Sequence, residues 1–399
     1  MNHRLQWGVA LVALCALASC DSAAPDSADL FNRFGLLEAG PNTLQTSEVE
    51  QRMVAVIGGA QARAYAVFED FESPTVARAL IAAHERGVDV RVVGDVDRRY
   101  QEGFRLCEDA GVFTRYGNGE LDFELEPTRS ATADGDQTRV THNFVVVDSK
   151  QVVSVSGGFL EGRPNVHQLG FEATSEEIGQ DFEDEAIQLA GGVFATTYDN
   201  FNGLVKSDVN NRRYYRTENG VLEIYFGPQE RLLKRVIDAT YSAKASVFVV
   251  GEAFENQFLA EALRYKAMNG FEVAMVLDAA SEGESPIAQR LASDFDDIRG
   301  DDVLPDLRYR SDIQQNVVII DANASPHDGK VHATKIFVLS EPLAASSGFV
   351  RVGNAYEGRT ADALMDANMW ALTRTPGLHE PNVDRVIGNF ERLFNAGGE

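Results

Sequence analysis

The chain contains an internal repeat, which limits the folds it can adopt. Segments 77–95 and 260–278 each begin with Ala-x-Ala-Leu, continue to a glycine and end on an aspartate, with identical spacing. Downstream of each copy, a histidine opens an apolar run: His142 precedes Asn-Phe-Val-Val-Val-Asp, and His332 precedes Ala-Thr-Lys-Ile-Phe-Val-Leu-Ser. A duplicated unit with one histidine per copy predicts one site built from two halves.

Each copy has the pattern of a strand, a helix and a second strand. In the first copy, residues 64–68 and 88–93 are predicted strands, and the helix between them is capped by Ser73 and ends at Gly87. The second copy gives strands 245–250 and 271–277 around a helix at 258–268. This βαβ pattern predicts an α/β fold in which each half is a mixed sheet flanked by helices.

Further elements complete two halves of similar design. We predict strands at 144–147 and 151–155 in the first half and at 335–339 and 348–352 in the second, with helices at 176–189 and 382–394. The predicted boundaries are 46–205 for the first half, 206–220 for a polar linker and 221–399 for the second half.

The N-terminus is predicted to be an export signal. Residues 1–20 have a basic start, a short apolar stretch and the ending Leu-Ala-Ser-Cys. The ending is similar to a bacterial lipobox, in which Cys20 would carry lipid and anchor the protein to a membrane; the alternative is an ordinary signal cleaved near Ala18. Residues 21–45, rich in Ala, Ser, Asp and Pro, are predicted to be a flexible tether.

Composition narrows the choice of partners. The net charge of −25 disfavours nucleic acid, because binding to a polyanion depends on Lys and Arg. Removal of the signal and lipidation of Cys20 leave Cys107 as the one ordinary thiol, so no intrachain disulfide is expected. No His or Cys cluster has metal-ligand spacing, and we expect neither a metal nor another cofactor.

The histidines and their surroundings resemble the phospholipase D superfamily over nearly the whole mature chain. That family twice carries histidine, any residue, lysine, four residues and aspartate, followed by Gly-Ser-x-Asn. Here His142 and Asp148 match, but Phe144 replaces the lysine; His332 matches, Lys335 is displaced by one residue, and Ser340 replaces the aspartate. The resemblance implies two phospholipase D-like halves related by a pseudo-twofold axis, with His142 and His332 meeting at their interface.

The resemblance also implies roles for these residues. One histidine would attack phosphorus, and the other would act as general acid and then as general base. Lys335, Ser156 and Asn354 would bind the substrate phosphate, and Asp148 would orient a histidine or serve as a turn residue.

Two functions follow from the resemblance. The first is a membrane-tethered phosphodiesterase, a hydrolase acting as a monomer on phospholipid head groups. The second is a catalytically impaired lipoprotein that keeps the fold to bind a phosphate-bearing ligand or an envelope partner. A histidine at a strand edge is more often a structural residue than a catalyst, so the pairing of two histidines carries the first hypothesis.

Overall fold

The two copies of the repeat fold into two mixed β-sheets. The computed structural model describes residues 33–39, 48–95, 98–117, 140–159, 166–190, 214–217, 220–227, 230, 232–300, 304–340, 342–343, 350–352, 355–357 and 367–396. All of these residues belong to one compact unit, Asn32–Glu399.

The first sheet has seven strands in the order β1-β7-β6-β5-β2-β3-β4. They are β1 (Arg33–Ala39), β2 (Arg63–Phe68), β3 (Asp89–Asp95), β4 (Phe113–Gly117), β5 (Asn143–Val147), β6 (Gln151–Val155) and β7 (Gln168–Thr174). The helices of this half are α1 (Glu48–Gly58), α2 (Pro74–Glu85), α3 (Glu102–Asp109) and α4 (Glu176–Leu189). The predicted tether is therefore too long, because residues 33–39 pair with β7 as an edge strand.

The second sheet has eight strands in the order β12-β11-β10-β13-β14-β17-β9-β8. They are β8 (Tyr214–Arg216), β9 (Gly220–Phe226), β10 (Ser246–Gly251), β11 (Glu272–Asp278), β12 (Asp306–Arg310), β13 (Asn316–Ile320), β14 (Thr334–Leu339) and β17 (Asn368–Arg374). The helices are α5 (Leu232–Ser242), α6 (Gln257–Met268), α7 (Pro286–Arg299) and α8 (Pro381–Asn395). Part of the predicted linker is thus strand, since β8 and the first residue of β9 lie within 206–220.

The strand predicted at 348–352 is observed as β15 (Val350–Val352), but it does not belong to the second sheet. It pairs with β16 (Ala355–Glu357) in a separate two-stranded sheet.

Local sequence signals explain the helix boundaries. Ser73 accepts a hydrogen bond from the Val76 amide at 3.1 Å and caps α2, as predicted. Gly87, just beyond this helix, has φ of 87°, a conformation that glycine adopts without strain. In the second copy Asn256 caps α6 in the same way, and Gly270 has φ of 74°.

The two sheets enclose a central helical layer. One core cluster joins Phe144 of β5 and Ile336 of β14 to Phe182 of α4 and Phe390 of α8. The outer face of the first sheet packs on α1–α3, and that of the second on α5–α7. The predicted architecture of two similar mixed sheets flanked by helices is confirmed.

The strand orders show which elements correspond in the two halves. Read in opposite directions, they match β2 with β10, β5 with β13 and β6 with β14. We call the end of each sheet at which β2 and β10 finish the upper end, and the end at which they begin the lower end. His142 precedes β5 whereas His332 precedes β14, so the predicted equivalence of the two histidines is wrong; Gln315, before β13, is the counterpart of His142.

Candidate functional site

The two halves meet at the upper ends of their sheets. Gln168 Nε2, at the start of β7, donates to Gln314 Oε1 at 3.1 Å, and Asn368 Nδ2, at the start of β17, donates to Ser154 Oγ at 3.0 Å. All four side chains are buried. Each of these bonds joins one half to the other. The contact between the halves, where the sequence predicted the active site, is therefore made by neutral side chains.

The backbone reinforces this contact. The Gln314 amide donates to the His167 carbonyl at 2.9 Å, and the His167 amide donates to the Asp312 carbonyl at 2.7 Å. Gly157 has φ of 108°, and a Cβ there would lie 2.7 Å from the Gln314 carbonyl oxygen. A residue with a side chain at Gly157 would therefore push the halves apart.

Two asparagines hold matching positions at the upper ends. Asn143 Oδ1 accepts the Glu69 amide at 3.2 Å, and Asn316 Oδ1 accepts the Glu252 amide at 3.1 Å. Both asparagines are fully buried. Each therefore fixes the start of a central strand against the turn that follows β2 or β10.

Two aspartates give a second matched pair, close to the first. Asp95 Oδ2 accepts the Val140 amide at 3.0 Å, and Asp278 Oδ2 accepts the Ile313 amide at 2.7 Å. These are the final aspartates of the two repeated segments. The last residue of each repeated segment therefore holds the chain that enters the central strand.

His142 faces the central helical layer. Its ring is fully buried, with Nε2 3.0 Å from Glu185 Oε1 on α4 and with the Phe144 and Phe226 rings around it. Side chains alternate along a strand, so His142 and Asn143 point to opposite faces. In the second half Asn389 Nδ2 of α8 donates to Gln315 Oε1 at 3.3 Å, which makes the pairs equivalent structural contacts.

His332 lies at the lower end, near the start of β14. Its side chain is 28% exposed, and Nε2 lies 3.5 Å from Asp328 Oδ1. The six residues of β14 span roughly 20 Å between this end and the upper end, where His142 lies. The prediction that the two histidines meet at one phosphorus atom is therefore wrong.

Lys335 is paired inside the second half. Its Nζ donates to Glu223 Oε1 of β9 at 2.6 Å and lies 5.0 Å from the centroid of the Phe337 ring. Phe337 belongs to the outer core cluster. The predicted phosphate-binding role is wrong, because this cation neutralises a buried carboxylate near the lower end.

Asp148 is also at the lower end, where it fastens a turn. Its carboxylate accepts the amides of Gln61, Ala62 and Arg63 at 2.8 to 2.9 Å. Burial acts to raise the pKa of Asp148, but these backbone bonds and the Arg63 charge lower it overall. The alternative prediction of a turn residue holds, and the orienting role is wrong because β5 separates Asp148 from His142.

Three further predicted residues complete the comparison. Ser156 lies at the upper end, where it is buried and its Oγ accepts the Leu169 amide at 3.4 Å; its phosphate-binding role stays a prediction. Asn354 and Cys20 lie outside the described residues. In the part of the chain that the structure describes, no group of three or more His, Cys, Asp or Glu side chains is placed to hold a metal ion.

Comparisons with known proteins identify the fold. No family model and no curated protein matches the sequence. Phosphatidylserine synthase from Haemophilus influenzae Rd KW20 is similar over 90% of this chain and 86% of its own, at 11% identity and a TM-score of 0.57. The solved structures that are similar to this chain are phospholipase D-fold proteins with two similar halves. The chain has the phospholipase D superfamily fold.

Two other solved structures are similar. Polyphosphate kinase from Porphyromonas gingivalis matches 90% of this chain at 10% identity and a TM-score of 0.51, and this chain spans 50% of that protein's length. Nuc from Salmonella typhimurium, described as a phospholipase D family member, matches 39% of this chain and 91% of its own, at 15% identity and a TM-score of 0.29. At 10–15% identity, these similarities concern the fold.

The phospholipase D motif can now be placed on equivalent strands. Asp148 directly follows β5, and Asp321 directly follows β13, where its Oδ1 accepts the Lys244 and Ala245 amides at 2.7 and 2.6 Å. Both aspartates have positive φ, 52° and 57°. These shared contacts make the two aspartates equivalent positions of the two halves, and we align the aspartate of the motif with them.

Counting back from the two aspartates locates the remaining motif positions. The histidine positions hold Thr141 and Gln314, and the lysine positions hold Asn143 and Asn316. We did not predict these four residues. The signal was present, since Asn, four apolar residues and Asp recur at 143–148 and at 316–321.

Proposed function

We propose that the chain is a non-catalytic phospholipase D-fold protein of the bacterial envelope that acts by binding an envelope partner. The observation that carries the proposal is the identity of the motif positions. Thr141 and Gln314 stand at the histidine positions, and Gln314 is hydrogen-bonded to Gln168 across the two halves. A side chain engaged in holding the halves together is not poised to attack a substrate.

The chemistry of these side chains supports the same conclusion. A phosphohistidine mechanism needs a nucleophile and a proton carrier whose pKa lies near neutral pH. The amide of Gln314 provides neither function, and a threonine at position 141 would need an adjacent base. General acid–base catalysis contributes about 10²–10⁴-fold to a reaction rate, and one charge-stabilising donor about 10²–10³-fold. Losing both contributions would remove most of the catalysis that the motif provides.

Of the two binding functions, binding of a phosphate-bearing ligand is less well supported than binding of an envelope partner. Asn143 and Asn316 are neutral where the motif has lysine, and the turns beside them contain Glu69 and Glu252. Tight phosphate binding uses charge-assisted hydrogen bonds from Lys or Arg, which neutral amides replace poorly. The net charge of −25 further disfavours an anionic ligand.

The phosphodiesterase hypothesis depended on His142 and His332. These residues lie at opposite ends of the sheets, and each contacts a carboxylate in its own half. A membrane-tethered diesterase acting through this pair therefore has no geometric support. The proposed anchor, lipid on Cys20, and the envelope location are shared by both functions, and we propose that the protein is a monomer.

An activity assay with a gain-of-motif control tests the proposal. The form covering residues 21–399 is incubated with phospholipids and diester model substrates, beside His142→Ala, His332→Ala and Gln314→Ala variants. We expect no turnover and no trapped phosphohistidine in any of them. Turnover by the parent that is lost in Gln314→Ala or His142→Ala would overturn the proposal.

The matched control restores the motif. A variant with Thr141→His, Asn143→Lys, Gln314→His and Asn316→Lys carries the family pattern on the same strands. Any diester cleavage by this variant would show that the assay detects activity on this scaffold, and its circular dichroism spectrum establishes whether it folds.

A further inference from the structure

Exposed apolar side chains are concentrated at the lower end of the molecule. Among the described residues, nine large hydrophobic side chains are exposed, and six of them lie at this end. The six are Phe113, Tyr241, Tyr265, Met268, Val331 and Leu378. Scattered single residues need no explanation, but neighbouring ones form a surface that can contact something apolar.

Three of these residues form one patch. Tyr241 lies in the last turn of α5, and Tyr265 and Met268 lie in the last turn of α6. Both helices finish just before strands that begin at the lower end. The Tyr241 and Tyr265 ring centroids are 5.9 Å apart. Tyr265 is 52% exposed and Met268 59%. We call these three residues the lower-end patch.

The chain enters the body at the same end. Strand β1 begins at Arg33, which is paired with Thr174, the last residue of β7. Strand β7 starts at the upper end, beside Ser156, so Thr174 and Arg33 lie at the lower end. The residues between Cys20 and Arg33 reach at most roughly 45 Å when fully extended.

We propose that the lower end rests on the phospholipid bilayer, with the lower-end patch in the headgroup layer and the motif positions directed away from the membrane. The inference rests on the proposed anchor at Cys20. Tyrosine suits the boundary between lipid and water, because its ring is apolar and its hydroxyl is polar. The patch would add a second contact with the bilayer, which fixes the orientation of the body beside its lipid anchor.

This orientation also supports the proposed partner. The upper end, where the halves meet, would face the aqueous compartment and a protein partner, rather than lipid head groups. It would be an unsuitable position for an enzyme acting on the bilayer that anchors it.

Site-specific fluorescence tests the orientation. Met268→Cys and Tyr100→Cys each introduce one accessible thiol; Tyr100 is 72% exposed and lies at the upper end, beyond β3. Buried Cys107 does not compete for the label. Each variant of the mature chain is labelled with an environment-sensitive dye and bound to phosphatidylcholine–phosphatidylglycerol vesicles that carry a lipid-attached quencher.

Two ways of attaching the protein to the vesicle allow the orientation to be tested separately from the Cys20 anchor. One sample is acylated at Cys20, and the other carries a histidine tag at that position and binds nickel-chelating lipid. We expect a blue shift and quenching of the dye at position 268 and neither effect at position 100, on both tethers. Adding Tyr265→Ser should reduce quenching at position 268.

Each outcome bears on a distinct claim. Absence of acylation would overturn the Cys20 anchor, while the tagged sample would still report orientation. Equal quenching at both positions, or stronger quenching at position 100, would overturn the orientation while leaving the non-catalytic proposal standing.

Discussion

Replacing Asp321 with alanine should destabilise the protein by about 4 kcal/mol. Its carboxylate accepts two short hydrogen bonds from the Lys244 and Ala245 amides and a longer one, 3.4 Å, from Ser246. A hydrogen bond to a charged group contributes roughly 1.5–3 kcal/mol. Asp321 is buried, so water cannot easily replace the lost acceptor, and its positive φ adds roughly 1 kcal/mol against alanine.

Replacing Asp148, the counterpart of Asp321 in the first half, should cost less stability. Asp148 makes the same kind of contact, but Gln61, Ala62 and Arg63 are exposed, so water can satisfy their amides after mutation. We expect Asp148→Ala to lower the free energy of unfolding by about 2 kcal/mol, from part of the hydrogen-bond contribution and the same φ penalty. Urea denaturation of both variants measures the difference.

A helix surface residue supplies the control. Asp297→Ala, on the exposed side of α7, should change the free energy of unfolding by less than about 0.5 kcal/mol. If Asp321→Ala were as mild as this control, the assignment of these aspartates as turn fasteners would be refuted.

The pH dependence of Asp148 has a defined sign. Its pKa is lowered in the folded protein, so its contribution is fully present above the unfolded value of roughly 3.9 and is lost as pH falls through the folded value. Asp148→Asn should therefore flatten the loss of stability below about pH 4.

Three other expectations concern buried groups. Lys335→Met should cost about 3–5 kcal/mol by leaving the Glu223 carboxylate buried without its cationic partner, and adding Glu223→Gln should recover part of that loss in the same denaturation assay. A double-mutant cycle with Gln168→Leu and Gln314→Leu should yield a coupling of about 0.5–1.5 kcal/mol; zero coupling would contradict the contact between the halves. Burial raises the pKa of the Cys107 thiol to about 12, so thiol reagents at pH 8 should modify it only after unfolding, and rapid labelling of the native protein would be inconsistent with its position.

Local patterns predicted the elements well. The cap at Ser73 predicted the start of α2, and helical periodicity over residues 176–189 predicted α4; both predictions lie close to the observed bounds. Caps and periodicity can be read from sequence because they depend on neighbouring residues. The final aspartates of the repeat also kept matching roles. These signals are local, and tertiary contacts reinforced them.

The site was harder to predict because its register depends on which strands correspond. Matching the histidines assigned His142 and His332 to one position, although they precede different strands. The residue pair that marks the true register, Asn143 with Asp148, contains no histidine and reads as an ordinary strand. Only sheet order distinguishes the two alignments, and sheet order is set by long-range pairing.

The reactivity of His142 and His332 shows whether the two imidazoles share a site. Diethyl pyrocarbonate modification, followed by mass spectrometry, reports the accessibility of each imidazole in the native protein. His332 should react faster than fully buried His142, because its side chain is partly exposed, and vanadate should alter neither rate. Modification of both histidines at similar rates, with vanadate protecting both, would mean that they share an anion-binding cleft and would refute their placement at opposite ends of the sheets.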